Sequence, residues 1–167
     1  MTYLNCYDDH RNFTEDVRKR FSDTTRYTVR IFTGRDEFIA ACARIMEPGT
    51  CKVAIIGVPE SKEQFGAVEE MVTEVNKSDP RAGIILLALP DRIDELKKVV
   101  RFNIDAYIPR NVNSILRIHN TVKKLISEQS IHLFRKKRNM ALYILMGFII
   151  LAIMIFVIAK LRLPGYF

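Results

Sequence analysis

Two adjacent carboxylates, Asp8 and Asp9, directly follow the first short apolar segment of the chain. Two carboxylates can hold a divalent cation through their oxygens, with several water molecules completing the coordination shell. The same residue types also suit the start of a helix, where negative charge interacts favourably with the helix dipole. The sequence therefore predicts no more than a weak magnesium site at Asp8 and Asp9, and it favours the helix-start role.

Other catalytic or cofactor chemistry has little support in the sequence. The patterns GxGxxG, GxxxxGK[ST], HExxH and GxSxG do not occur. Cys6, Cys42 and Cys51 are widely spaced among apolar neighbours without CxxC spacing, which predicts buried thiols in a reducing compartment. We therefore expect neither an enzyme nor a bound cofactor.

The elements that must position the two carboxylates alternate between short apolar runs and amphipathic stretches. Continuous apolar runs at 53–56 and 84–89 are typical of parallel strands buried on both faces. With right-handed crossovers, the order βαβαβαβαβα predicts an α/β fold, a doubly wound five-stranded parallel sheet of order 2-1-3-4-5. Strands are predicted at 3–7, 27–33, 52–58, 83–89 and 106–109, and helices beginning near 11, 36, 61, 90 and 112. Ser61 is the predicted N-cap of the third helix, and Val99 and Val100 are predicted to face the core.

In a doubly wound sheet the functional site lies at the carboxyl ends of the strands. Here those ends carry Asp8-Asp9, Gly57, Leu87 and Arg110. Together with the element lengths and the segment NIDAYIPRN at 103–111, they make residues 2–128 resemble a receiver domain. Receiver domains are the phospho-acceptor modules of bacterial response regulators.

The resemblance implies that most of the receiver chemistry is missing. Asp8 and Asp9 match the acidic pair that holds magnesium, but Gly57 stands where the phospho-acceptor aspartate is expected. Leu87 falls where receiver domains have a Thr or Ser, and Arg110 replaces the lysine of the receiver pattern. Asn111 replaces the following Pro, while Tyr107 keeps the aromatic of the last strand. Because Gly57 offers no nucleophile, the chain is expected to be a pseudo-receiver that is not phosphorylated.

The C-terminal part contains an uncharged apolar run of 20 residues at 140–159. As a helix it would span about 30 Å, the thickness of the hydrocarbon core of a bilayer. Its flanks are basic, with Arg135, Lys136, Lys137 and Arg138 before it and Lys160 and Arg162 after it. The positive-inside bias predicts a single-pass anchor in the inner (cytoplasmic) membrane, with the N-terminal domain in the cytoplasm. Asp8 and Asp9 interrupt the apolar stretch that an N-terminal signal peptide requires, so we expect no signal peptide.

The charge distribution agrees with an anchor. The chain carries a net charge of +7, but residues 1–134 are nearly neutral, so the excess flanks the apolar run and nucleic-acid binding is disfavoured. We predict a pseudo-receiver domain at 1–128, a basic juxtamembrane helix extension at 129–139, a transmembrane helix at 140–159 and a short non-cytoplasmic tail at 160–167. Since 112–159 contains no proline and a single glycine, Gly147, one continuous helix is expected there.

The leading functional hypothesis is a scaffold or protein-interaction subunit of a bacterial membrane complex in signalling, secretion or motility, with other subunits or a second copy as partners. The resemblance places the partner surface on the fourth helix, fifth strand and fifth helix, at Val100, Arg101, Tyr107, Ile108, Asn113, Arg117 and Lys124. Within the membrane, Ala152 and Ala159 share one helix face, where small side chains allow close helix packing. Residues 135–138 could also contact anionic lipid. The alternative is a flavodoxin-like domain or enzyme that binds nucleotide or magnesium near Asp8, Asp9 and Gly57.

Overall fold

The computed structural model describes residues 1–8, 11–22, 25–44, 50–100 and 104–162, with the backbone alone at 11–12, 62, 132–137 and 156–162. Five parallel strands form one sheet in the order β2-β1-β3-β4-β5, as predicted. The strands are β1 Thr2–Tyr7, β2 Tyr27–Phe32, β3 Cys51–Gly57, β4 Gly83–Ala88 and β5 Ala106–Pro109. The helices are α1 Arg11–Ser22, α2 Arg35–Ala43, α3 Phe65–Ser78, α4 Ile93–Val99 and α5 Ser114–Arg162.

The central strands β3 and β4 are buried along their whole length. This burial explains their uninterrupted apolar sequences, because helices cover both faces of the sheet. The register pairs Gly57 with Leu87 across these strands and Cys6 with Ile55 across β1 and β3. The carboxyl ends of β1, β3 and β4 therefore lie side by side.

Each face of the sheet has its own hydrophobic core. On one face, α2, α3 and α4 contribute Phe38, Val72 and Leu96 among others. On the other face, α1 and α5 contribute Phe21 and Ile118. These five residues have at most 1% of their surface exposed, so the sheet domain contains two complete apolar layers.

The structure corrects two predicted helix starts. A 3-10 turn at Lys62–Gln64 precedes α3, and the N–H of Gln64 donates to the carbonyl of Ser61 at 3.2 Å. Ser61 thus begins this turn through its backbone and is not the N-cap of α3. A second 3-10 turn, Pro90–Arg92, likewise delays α4 until Ile93.

The inward face of α4 also differs from the prediction. Leu96 and Val100, four residues apart, are both buried, whereas Val99 is 37% exposed. Val99 is the last residue of α4, whereas Val100 is its C-cap and already has an extended backbone. The chain changes direction at this point, so Val100 packs against the core while Val99 stays partly exposed.

The chain divides into two compact units, Met1–Ser127 and Glu128–Phe167. The first contains the sheet, and the second is helical over its described residues. In the second unit, Arg138–Ile155 is long and apolar enough to cross a membrane, and its side chains are exposed to the surroundings. Ala152 is among the exposed residues, whereas the side chain of Ala159 lies outside the described part of the chain.

Candidate functional site

Asp8 lies at the carboxyl end of β1 with its side chain fully buried. Both carboxylate oxygens accept hydrogen bonds from the guanidinium of Arg110. Nη1 lies 3.2 Å from Oδ1, and Nη2 lies 2.9 Å from Oδ2. The planar fork of arginine matches a carboxylate in this bidentate way, and charge-assisted hydrogen bonds of this kind are stronger than neutral ones.

Strand β5 and helix α1 hold the arginine in place. The N–H of Arg110 donates to the carbonyl of Ala88 at 2.8 Å, so the residue after Pro109 still follows the ladder to β4. The guanidinium carbon lies 5.6 Å from the ring centroid of Phe13 on α1, within the range of a cation–π contact. Arg110 is therefore fixed at its backbone by the sheet and at its head by the carboxylate and the aromatic ring.

Gly57, at the end of β3, borders this ion pair. A Cβ built at Gly57 would lie 2.5 Å from Cγ of Asp8 and 3.1 Å from Nη2 of Arg110. A side chain at this position would overlap the carboxylate, so the ion pair in this form requires glycine. The absence of a side chain at position 57 and the Asp8–Arg110 pair are thus two aspects of one arrangement.

The residues present do not fit the magnesium centre that the receiver resemblance implies. Both oxygens of Asp8 already bind a cation, the guanidinium, and Gly57 supplies no ligand. Among the described residues no group of three or more His, Cys, Asp or Glu side chains could hold a metal ion. Asp9 lies outside the described residues, so the weak magnesium site at Asp8 and Asp9 stays a prediction. A metal ion that bound there would have to displace Arg110 from the carboxylate of Asp8.

The other positions of the resemblance are structural in character. Leu87 is completely buried in the core beneath α1 and α5. Tyr107 is half-buried, and the Nζ of Lys97 lies 5.8 Å from its ring centroid. Burial raises the pKa of the Tyr107 phenol above its ordinary value, so the phenol stays protonated at neutral pH. Leu87 therefore offers no hydroxyl that could hydrogen-bond a phosphoryl group.

The three cysteines are free and buried, which confirms the prediction of buried thiols. Desolvation, with a smaller contribution from Asp8, raises the pKa of Cys6 to about 12. Desolvation also raises the pKa of Cys42 and of Cys51 to about 11. Since the thiolate is the reactive form, these cysteines are inert at neutral pH.

A polar cluster around the buried Lys52 is not predicted by the sequence pattern, in which Lys52 belongs to the apolar strand at 52–58. The Nζ of Lys52 donates to the carbonyls of Cys42 and Arg44 at 2.8 and 3.0 Å. It also forms an ion pair with Asp79 at 2.7 Å. Nearby, the amide of Asn5 donates to Sγ of Cys42 at 3.5 Å. The available signal was a single lysine at the start of an otherwise apolar run.

The predicted partner surface is only partly at the surface. Val100 and Ile108 are 2% and 3% exposed and belong to the two cores, so they are removed from that surface. The apolar character of Val100 and Ile108 reflects their packing in the cores of the sheet domain. Tyr107, Asn113, Arg117 and Lys124 are at least partly exposed, and their role stays a prediction. Arg101 and the side chains of Arg135, Lys136 and Lys137 lie outside the described residues, while Arg138 is exposed.

The sequence matches no protein-family model and no curated protein sequence. Among solved structures, an adenylate cyclase from Rhodopirellula baltica is similar with a TM-score of 0.59 and 11% identity, over 81% of this chain and 94% of that one. A redox sensor of the streptococci, from a family evolved from two-component response regulators, has a TM-score of 0.60 and 12% identity, over 78% of this chain and 52% of that one. CpaE2 from Sinorhizobium meliloti, described as a putative pilus assembly protein, has a TM-score of 0.54 and 11% identity, over 75% of this chain and 99% of that one.

Identities this low show the fold alone. The predicted sheet order is confirmed, and the structural neighbours include receiver-like domains. The sheet domain therefore has a receiver-like α/β fold, with the Asp8–Arg110 ion pair at the carboxyl ends of its strands.

Proposed function

We propose that this protein is a non-catalytic pseudo-receiver, anchored in the inner membrane of a bacterium by its last helix, that serves as a protein-interaction or scaffold subunit of a membrane complex. The observation that carries the proposal is the Asp8–Arg110 ion pair beside Gly57. It supports a domain kept for its surfaces, because among the described residues Gly57 and Leu87 supply no group that could accept or stabilise a phosphoryl group.

Phosphoryl transfer to a receiver needs a carboxylate nucleophile at the end of β3 and a hydroxyl at the end of β4. Gly57 and the buried Leu87 supply neither group. The carboxylate of Asp8 is close by, but it is shielded by its own ion pair and by complete burial of its side chain. A phosphoryl donor would meet a buried carboxylate that is already paired with the guanidinium of Arg110.

The ion pair also supports a constant conformation. It joins the end of β1 to the segment between β5 and α5, residues that are 102 positions apart in the sequence. Separating the partners would leave a buried charge uncompensated, which typically costs about 3–5 kcal/mol. A pseudo-receiver built this way presents one set of surfaces continuously, as suits a structural subunit.

Two further observations support the membrane complex. Arg138–Ile155 is long and apolar enough to span a bilayer, and basic residues flank this segment on both sides. One structural neighbour of the sheet domain is described as a putative pilus assembly protein. Secretion, motility and signalling complexes are therefore the class of partner that we expect.

The test is incubation of the full chain, purified in mild detergent, with acetyl phosphate or beryllofluoride in the presence of magnesium. We expect no change in mass or melting temperature. An acid-stable, hydroxylamine-labile adduct of one phosphoryl group would overturn the proposal. The Asp8→Asn variant would then show whether the buried carboxylate had reacted.

The same melting assay examines the flavodoxin-like alternative. A nucleotide present at about 100 times its dissociation constant should stabilise the folded state by roughly 2.7 kcal/mol. We expect no such shift with adenine or guanine nucleotides and magnesium.

Copurification in mild detergent, with and without residues 138–162, should in addition recover partner subunits that depend on the anchor.

A further inference from the structure

The two faces of the sheet domain carry opposite charge. Helix α1 and the portion of α5 up to Ser127 contain seven Arg or Lys residues against two acidic ones. Helices α2 and α3, on the other face, contain five acidic residues against two basic ones. Because these contributions nearly cancel, the asymmetry is invisible in the overall charge of the domain. We call the α1–α5 surface the basic face and the α2–α3 surface the acidic face.

Cations are crowded together on the basic face. The ring of His119 lies between α1 and α5, with its centroid 5.5 Å from that of Phe21. Burial lowers the pKa of His119, and the positive charges of Lys123 and Arg20 lower it further. These two exposed residues therefore lie close enough to act on one imidazole, and neither forms an ion pair with a described residue. Such like-charge crowding favours an acidic surface opposite it.

The acidic face keeps a negative excess after its internal ion pairs are formed. Arg35 contacts Glu70 at 3.2 Å and Glu74 at 3.4 Å, so one arginine serves two carboxylates. Glu70 and Glu74 remain 69% and 47% exposed in their side chains. Asp36 and Glu37, at the start of α2, are also exposed.

We propose that the basic face of one copy docks on the acidic face of a second copy of this chain. Complementary charge steers such an encounter and fixes its orientation. Since the two faces lie on opposite sides of one sheet, the contact is heterologous, and each pair leaves one basic and one acidic face free. Repetition then gives a row or a closed ring. The proposal deepens the proposed function and rests on it, because anchoring confines the copies to one surface and raises their effective concentration.

Cross-linking of full-length chains in native membranes tests this contact. Lys123→Cys is introduced into one tagged copy and Glu74→Cys into a second copy with a different tag, and a short bifunctional maleimide is added. The native cysteines are buried and protonated, so they contribute little background. We expect cross-links between the two different tags, and almost none when either variant is expressed alone.

Charge reversal provides the matched control. Lys123→Glu, introduced beside the cross-linking pair Arg20→Cys and Glu74→Cys, should lower the cross-linked fraction by about tenfold, since like charges across an interface are strongly unfavourable. A further Glu70→Lys substitution should restore much of it. Raising the salt concentration should weaken the cross-link in the parent pair, because exposed charges are screened.

Three outcomes would overturn the inference. Equal cross-linking in the single variants would indicate a symmetric dimer through another surface. Insensitivity to Lys123→Glu would assign the basic face to a different partner, such as anionic lipid. Absence of any cross-link, although both cysteines react with a monofunctional maleimide, would exclude the contact. Alkaline carbonate extraction separates these results from a failed anchor, because an unanchored chain would leave the membrane fraction.

Discussion

At the scale of single residues, the space left by the missing side chain of Gly57 is what allows two charged groups to meet. The carboxylate of Asp8 and the guanidinium of Arg110 pair beside the glycine Cα, where any Cβ would overlap Asp8. Taking two charges out of water is costly, and the bidentate geometry with a neighbouring aromatic ring is what offsets that cost. The glycine is thus a steric requirement of the ion pair.

Substitution of Gly57 by alanine tests this requirement. The added methyl group must displace Asp8, and overpacking of this kind typically costs about 1–3 kcal/mol. We expect Gly57→Ala to lower the free energy of unfolding of the sheet domain by that amount in urea titrations. Gly66→Ala is the matched control, because a Cβ at this exposed helical position meets no atom within 4 Å. It should be neutral or stabilising by up to about 1 kcal/mol, and equal losses in both variants would contradict the steric explanation.

The buried thiols predict a dependence of stability on alkaline pH. In the folded state Cys42 and Cys51 have pKa values raised from 9.0 to about 11, and Cys6 to about 12. Above pH 9 the unfolded thiols lose protons while the folded ones keep them, so the unfolded state is favoured. Stability is therefore fully present below pH 9 and falls between pH 9 and 11 or 12.

Urea unfolding at a series of pH values measures this slope. Cys42→Ala and Cys51→Ala should each make the decline shallower than in the parent chain, whatever their effect at neutral pH. An unchanged slope in both variants would assign the alkaline instability to other groups, such as tyrosine or lysine.

At the scale of elements, Lys52 connects β3 with the ends of two helices. It lies at the second position of the strand and donates to carbonyls at the end of α2, while Asp79 directly follows α3. The last carbonyls of a helix have no partner within the helix, and a cation placed there also interacts favourably with the helix dipole. A single buried ammonium thus fixes α2 and α3 against the sheet.

Lys52→Met should lower the free energy of unfolding by about 2–3 kcal/mol, because it leaves buried carbonyls without their charged donor. The loss should persist in high salt, since the group is buried. Lys97→Met is the matched control, as the exposed pair of Lys97 with Asp94 should contribute no more than about 1 kcal/mol. Comparable losses in the two variants would show that burial of Lys52 is not what matters.

At the scale of the whole molecule, the distribution of charge along the chain predicts its orientation in a membrane. Four basic residues precede the apolar run and two follow it. Residues 1–139 should therefore be cytoplasmic, and the tail from Lys160 should lie on the other side. Protease added to intact spheroplasts should leave the N-terminal domain uncut, whereas permeabilised cells should lose it. Digestion of the domain in intact spheroplasts would reverse the predicted orientation.

The sequence by itself determined the sheet order, the number of strands and the approximate bounds of most elements. These properties depend on local periodicity, because continuous apolar strands separated by amphipathic helices leave few topologies that bury both faces of a sheet. The apolar run near the C-terminus and the absence of an acidic residue at 52–59 were equally visible, since both are matters of composition.

Only the tertiary structure decided which charged groups meet. Arg110 reaches Asp8 because the parallel strands β5 and β1 have their carboxyl ends on the same side of the sheet. Lys52 reaches Asp79 because α3 ends beside β3. The same holds for Val100, whose burial depends on how a short helix α4 ends against the core. Such contacts join residues far apart in the sequence, and the free energy of burying a charge is set by neighbours that no local pattern specifies.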